Sequence, residues 1–169
     1  MATASYVIGI GSNRRHGRHG APGGVVVAAA AALAEAGLAI EAISHIRRTP
    51  ALGPSDRDFA NAAVRIASDC DPRALLGMLK RIERDFGRRR GRHWGARVLD
   101  LDILAWSDGR WTSATLTIPH RALAERRFAL GPAAEIAPRW RHPTLGATLA
   151  QLEARLGRRR AVDRGRPTP

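Results

Sequence analysis

Several residue types are scarce in this sequence, and each scarcity excludes something. Cysteine occurs once, at Cys70, so neither an intrachain disulfide nor a cysteine-based zinc cage can form. The longest uninterrupted apolar run, Val25 to Ala34, is mostly alanine and far shorter than a bilayer-crossing helix. Met1-Ala2-Thr3-Ala4-Ser5 puts no basic patch ahead of a leucine-rich stretch, so no signal peptide is expected and the cytoplasm is the expected compartment. Lys80 is the only lysine and does not close a G-x-x-x-x-G-K-[ST] loop, which excludes a P-loop nucleotide fold. Gly9-Ile10-Gly11 lacks the third glycine and downstream acid of a dinucleotide fingerprint and reads as a strand-to-turn junction. His45, His93, His120 and His142 lack the spacing of zinc ligands. Aromatics are only 5% of residues and do not interleave with the basic runs, so a base-stacking platform is absent.

Arginine is what the chain has in excess. Lysine and arginine total 28 against 15 acids, a net charge of +13. That balance favours an anionic partner, whether nucleic acid, a nucleotide or another polyphosphate, and does not choose among them. With 169 residues and 44% hydrophobic content, the chain has the length of one ordinary domain with a sizeable core. We expect that domain over residues 1–157, followed by a basic, fraying tail over 158–169.

Tyr6 to Gly11 reads as a strand, followed by a mobile basic loop from Arg14 to Gly24 and an alanine-rich helix closed by Gly37. A strand is expected from Leu38 to Arg48 and another from Phe59 to Ile66. Asp71-Pro72 is a helix start, an N-cap acceptor followed by a proline that needs no amide hydrogen. Leu75, Leu79, Ile82 and Phe86 follow at helical spacing, with Glu83 at the edge of the stripe as a candidate surface partner for an arginine. After the arginine-rich loop Arg88 to Arg97, a strand is expected from Val98 to Trp106. Thr148 to Gln151 has capping-box spacing, and Leu145, Leu149, Leu152 and Leu156 form a stripe. Strands and helices interleave without a regular βαβ series, which predicts an α+β fold with a mostly antiparallel sheet.

The sharpest feature is Arg97-Val98-Leu99-Asp100-Leu101-Asp102-Ile103-Leu104. Alternate strand residues share a face, so Asp100 and Asp102 project together while Leu99, Leu101 and Ile103 enter the core. Two such carboxylates are either a solvated face paired to arginines or a site for a cation such as magnesium on a polyphosphate. The neighbours favour the second: arginines and Trp94 before the strand, and Thr117-Ile118-Pro119-His120, Arg126 and Phe128 after it, are parts of a phosphoryl-transfer site.

These residues resemble the 6-hydroxymethyl-7,8-dihydropterin pyrophosphokinase family of folate synthesis. Trp94-Gly95, Arg97-Val98-Leu99-Asp100-Leu101-Asp102-Ile103 and Ile118-Pro119-His120 carry the likeness. Ile8-Gly9-Ile10-Gly11-Ser12-Asn13, Arg48-Thr49-Pro50, Phe59 to Val64, Arg126-Arg127-Phe128 and Glu135-Ile136-Ala137-Pro138 extend it. The resemblance implies a ferredoxin-like α+β domain, a mostly antiparallel sheet flanked by helices in three αβα layers. It also implies an ATP-dependent diphosphotransferase, a kinase-type transferase that moves pyrophosphate from MgATP to the pterin hydroxymethyl group and releases AMP. By resemblance, Asp100 and Asp102 would hold two Mg²⁺ ions, and Arg88 and Arg97 would stabilise charge on the moving phosphates. Arg90, His120 and Arg126 would contact the triphosphate, and Leu76, Ile103 and Thr117 would line the adenosine pocket. Thr49, Pro50 and Leu52 would offer the pterin backbone contacts, Asn61 would read its amide edge, Phe59 and Phe128 would sandwich it, and Trp94 would close over the site. The expected partners are ATP and the pterin, with a monomer, no membrane and no specific nucleic acid.

The chain departs from the family pattern in places. Arg14-Arg15-His16-Gly17-Arg18-His19-Gly20 replaces a Leu-Gly-Asp/Asn-type turn, and Lys80 stands where glutamine is frequent. Two alternatives compete with the enzyme reading: a basic nucleic-acid-binding module, whose phosphate backbone Asp100 and Asp102 would repel, and a relative that binds pterin or ATP without turnover.

Overall fold

Side-chain alternation in β1 (Ala4–Ser12) feeds two apolar cores, because Tyr6, Ile8 and Ile10 enter one and Val7 the other. The computed structural model describes residues 3–49, 59–87 and 98–164, with side chains to residue 158. Its elements are β1, α1 (Pro22–Glu35), β2 (Ala39–Ile43), β3 (Arg47–Thr49), β4 (Phe59–Ser68), α2 (Pro72–Asp85), β5 (Asp100–Trp106), β6 (Trp111–Thr112), β7 (Thr117–Ile118), α3 (Arg127–Ile136) and α4 (Leu149–Arg164). β2, β4, β1 and β5 lie side by side in that order, β3 also pairs with β4, and every pairing is antiparallel. β6 and β7 form a separate two-stranded ribbon.

α1 and α2 cover one face of the sheet, where Val25, Val26, Ala29 and Leu33 meet Leu75, Leu79 and Ile82 over the inward side chains of β1, β4 and β5. α3 and α4 cover the other, with Leu130, Ala133, Leu149 and Leu152 against Val7, Ala63 and Leu104. The three-layer αβα architecture expected from the sequence is the one observed. No helix among the described residues is long and apolar enough to cross a membrane.

Local chemistry explains the element ends. The Asp71 carboxylate accepts from the Ala74 amide at 2.7 Å at the start of α2, and Gly87, at φ +83°, ends it. Thr148 and Gln151 form the reciprocal capping box, with Gln151 Oε1 accepting from Thr148 N at 2.9 Å and Thr148 Oγ1 from Gln151 N at 3.2 Å. α4 then continues through Arg164, beyond the Arg158 expected to begin a fraying tail, since arginine is a good helix former. Leu145 stays 51% exposed and does not join the stripe of α4.

Two segments differ from the sequence expectation. The single strand expected from Leu38 to Arg48 is divided into β2 and β3, because the Ser44 hydroxyl accepts from the Ala63 amide at 2.9 Å, taking the place of a backbone acceptor. The basic loop after Asn13 has a defined conformation. His16 and Gly20 exchange backbone hydrogen bonds of 2.8 Å, His16 Nδ1 lies 3.2 Å from the amides of Arg18 and His19, and both imidazoles pack against Phe86.

Candidate active site

The antiparallel register gathers the candidate residues. Directly opposed residues share a face, and β1 opposes Gly9 to Asp102 and Gly11 to Asp100 on one side and Gly11 to Asn61 on the other. Asp100, Asp102, Gly9, Gly11 and Asn61 therefore lie on the α3/α4 face, beyond the apolar core. Leu99, Leu101 and Ile103 fill the core on the opposite face at 0%, 0% and 2% exposure, as alternation predicts. The glycines of the central strand leave a trough between the two carboxylates and Asn61. Its floor is tight: a Cβ on Gly11 would lie 3.3 Å from Asn61 Oδ1, and one on Gly9 would lie 3.2 Å from the Leu104 side chain.

The trough has an electrostatic signature. Burial raises the pKa of Asp102 above the ordinary carboxylate value, the neighbouring charge of Asp100 raises it further, and Lys80 and His120 partly offset both. Two hard oxygen donors on one strand face, one of them buried with its charge disfavoured, suit a small divalent cation. Among the described residues no third histidine, cysteine or acid joins them as a metal ligand. This donor set fits Mg²⁺, which is commonly held by one or two carboxylates with phosphate oxygens and water completing its shell. The His120 amide donates to Leu104 O at 3.0 Å, fixing His120 beside β5. Its Nδ1 accepts from the Ala122 amide at 3.2 Å, so the neutral ring carries its proton on Nε2, where it can be given to an anion.

At the β4 side, the Asn61 side chain is buried and its Nδ2 donates to Thr49 Oγ1 at 3.0 Å, which orients the amide. Phe59 stands at the head of the strand. α3 runs along β4, with Gly131 against Arg47, Glu135 accepting from His45 N and Ile136 O from Arg65. Its first turn, with Phe128, accordingly comes at the Phe59 end. The Arg126 guanidinium lies 5.9 Å from the Phe128 ring centroid.

The other expected residues are placed less centrally. Ile103 packs into the α1/α2 core, away from the carboxylates, while Leu76 on α2 and Thr117 on β7 are half-buried. Pro50, Leu52, Arg88, Arg90, Trp94 and Arg97 lie outside the described residues.

Glu83 is a correction. Expected at the surface beside an arginine, it is completely buried and pairs with Lys80. Its Oε1 accepts from Lys80 Nζ at 2.7 Å and from the Leu101 amide at 2.8 Å, while Lys80 Nζ donates to Leu101 O at 3.2 Å. Among the described residues β5 is an edge strand, and this pair takes the place of a neighbouring strand at Leu101, the residue between Asp100 and Asp102. The sequence signal was a carboxylate four residues after Leu79, on an apolar stripe where only a paired acid is stable.

The model of the 7,8-dihydro-6-hydroxymethylpterin-pyrophosphokinase (HPPK) family matches residues 7–138. A Synechocystis protein named 2-amino-4-hydroxy-6-hydroxymethyldihydropteridine pyrophosphokinase is 43% identical over 117 residues, 69% of this chain and 60% of that one. A protein of the same name from Methylorubrum extorquens is 45% identical over 103 residues, 60% of this chain and 65% of that one. The chain thus spans under two thirds of the length of these relatives. The crystal structure of wild-type Plasmodium falciparum HPPK-DHPS superposes with a TM-score of 0.72 over 94% of this chain and 42% of that one, at 15% identity, a likeness of fold. With the family model matching residues 7–138, most of the chain, this protein belongs to the HPPK family.

Proposed function

We propose that the protein transfers pyrophosphate from MgATP to the hydroxymethyl group of 6-hydroxymethyl-7,8-dihydropterin, yielding the pterin diphosphate and AMP in folate biosynthesis. The observation that carries this reading is the trough itself: two carboxylates on one face, with the charge of Asp102 disfavoured by burial, lie opposite an oriented, buried amide across a strand that presents only glycine. In the reaction, the substrate hydroxyl oxygen bonds to the β-phosphorus and loses its proton to water or to Asp102, as the bridge between the α- and β-phosphates breaks and AMP departs with the bridging oxygen. Such transfers depend on positioning and charge neutralisation more than on covalent catalysis.

Asp100 and Asp102 would hold two Mg²⁺ ions, whose chemistry is to neutralise and align the triphosphate. His120 would donate from Nε2 to a phosphate oxygen, and Arg126 would add a second cation. Leu76, Ile103 and Thr117 are assigned to the adenosine side by family resemblance, as are Arg88, Arg90 and Arg97 to the phosphates. Asn61, held by Thr49, would read the donor and acceptor edge of the pterin, whose flat ring suits the faces of Phe59 and Phe128. Pro50, Leu52 and Trp94 would complete that pocket. Residues 1–157 would form the single catalytic domain, a cytoplasmic monomer acting on small molecules. A nucleic-acid role is disfavoured because the two aspartates repel a phosphate backbone.

The test is AMP release from ATP and Mg²⁺ with and without the pterin, with Asp100→Ala as the blank. Pterin-dependent AMP that disappears in the variant is expected. Pterin binding without AMP release in the unmodified protein would assign it instead to a relative that binds without turnover.

A further inference from the structure

A cavity of about 540 Å³ opens at the end of the sheet between the basic loop, the start of α1 and the β3/β4 pair. Arg14, Arg15 and Arg48 line it together with Pro22, Phe59 and Ala60. It is distinct from the carboxylate trough. Arg48 and Ala60 are register partners, and Ala60 packs into the α1/α2 core, so this wall belongs to the face of the sheet opposite Asp100 and Asp102. Asn61 and its partner Thr49 do not line it, and Phe59 is the residue that borders both regions.

Among the described residues the charge here has no acidic partner. Arg47 and Arg65 on neighbouring strand positions each have a carboxylate partner, but Arg14, Arg15 and Arg48 make no ion pair among the described residues. The first turn of α1 adds to the deficit. Its N-cap is Ala21, which offers no side-chain acceptor, and the turn contains no acid.

The backbone that carries two of these arginines has a defined shape. The loop carrying Arg14 and Arg15 is closed by the His16–Gly20 backbone pair and anchored by the stack of His16 and His19 on Phe86, with the two imidazole centroids 4.7 Å apart. It also packs onto α1 so closely that a Cβ on Gly24 would overlap the His19 carbonyl oxygen.

We propose that the cavity is a second ligand site, for an organic phosphate. Three guanidinium forks suit the tetrahedral oxygens of a phosphate monoester. The apolar remainder, Pro22, Phe59 and Ala60, suits a flat or apolar body. The volume falls within the range of small-molecule pockets and far exceeds what an inorganic ion fills. The site uses neither the aspartates nor a metal, and it meets the pyrophosphoryl-transfer reading only at Phe59, which borders both regions.

The experiment is calorimetric titration of the full chain in EDTA, at physiological ionic strength, with phenyl phosphate, inorganic phosphate and benzoate. Phenyl phosphate is expected to bind saturably and more tightly than either of the others. Arg14→Ala/Arg15→Ala and, separately, Arg48→Ala should each weaken it about tenfold or more, as loss of charge-assisted contacts does. The charge-matched Arg155→Ala/Arg158→Ala variant should bind like the unmodified protein. No saturable binding would overturn the proposal, as would equal loss in the charge-matched variant or no loss in any. Equal affinity for phenyl phosphate and inorganic phosphate would overturn the organic-ligand assignment. Because no Mg²⁺, ATP or pterin is present, none of these outcomes bears on the transfer reaction.

Discussion

Replacing Glu83 with alanine tests whether the strand bearing the aspartates is braced from its free edge. The substitution leaves the Leu101 amide without its acceptor and the Lys80 ammonium without its counter-charge. An unpaired buried amide costs about 1–3 kcal/mol, and breaking a buried ion pair by removing one partner costs about 3–5 kcal/mol. Lys80 is 34% exposed and can turn toward water, which discounts the second figure. The net loss should be about 2–4 kcal/mol, or roughly 5–15 °C in Tm for a domain of this size. Urea unfolding followed by circular dichroism would measure it, and the same samples would report AMP release. Turnover should fall as well, because Leu101 fixes the carboxylates on either side of it. A cycle with Lys80→Met isolates the pair. The double variant Lys80→Met/Glu83→Met should recover only the ion-pair part of the loss, since it leaves no orphaned charge but still leaves the Leu101 amide without its acceptor. An unfolding free energy for Glu83→Ala within about 0.5 kcal/mol of the unmodified value, the range of an ordinary surface substitution, would refute the brace.

Asp102→Asn should separate stability from activity. Its pKa is raised by burial and by Asp100, so the ionised carboxylate destabilises the folded state at neutral pH, and that penalty fades as pH falls toward the ordinary carboxylate range. The metal-free variant should therefore be more stable at pH 7 by on the order of 1 kcal/mol, while turnover is abolished; a loss of stability measured by urea unfolding would contradict this. Glu135 should behave in the opposite sense. Its pKa is lowered, first by the hydrogen bond from the His45 amide and then by the Arg47 and His45 side chains. Its stabilisation should be present above the ordinary carboxylate pKa and be lost as pH falls through the depressed value, so Glu135→Gln should flatten the acid limb of a Tm-against-pH curve. An unchanged acid limb would count against that assignment.

Local rules made much of the fold legible. Asp71-Pro72 and Thr148-to-Gln151 announced two helix starts because caps depend on a few adjacent residues. The shared face of Asp100 and Asp102 followed from strand alternation alone, and the helical stripe of α2 followed from its period. Where local reading went astray, a distant partner intervened. Ser44 broke a strand by engaging Ala63, and the Arg14–Gly24 segment gained order from Phe86.

What the sequence by itself determined was the α+β class, the candidate site chemistry and the pairing of the two carboxylates. The tertiary structure decided what those carboxylates face. Only the register of β1 against β4 and β5 reveals Gly9 and Gly11 as the floor between Asp100, Asp102 and Asn61, where the sequence suggested just a turn. Only the seating of α2 on the edge of β5 turns Glu83 from a surface acid into a buried brace, and only the approach of β3 to the basic loop brings Arg48 to Arg14 and Arg15. The physical reason is common to all of them. Alternation and capping are fixed by neighbours along the chain, whereas burial, charge compensation and the shape of a site depend on groups that become neighbours only after the sheet has formed.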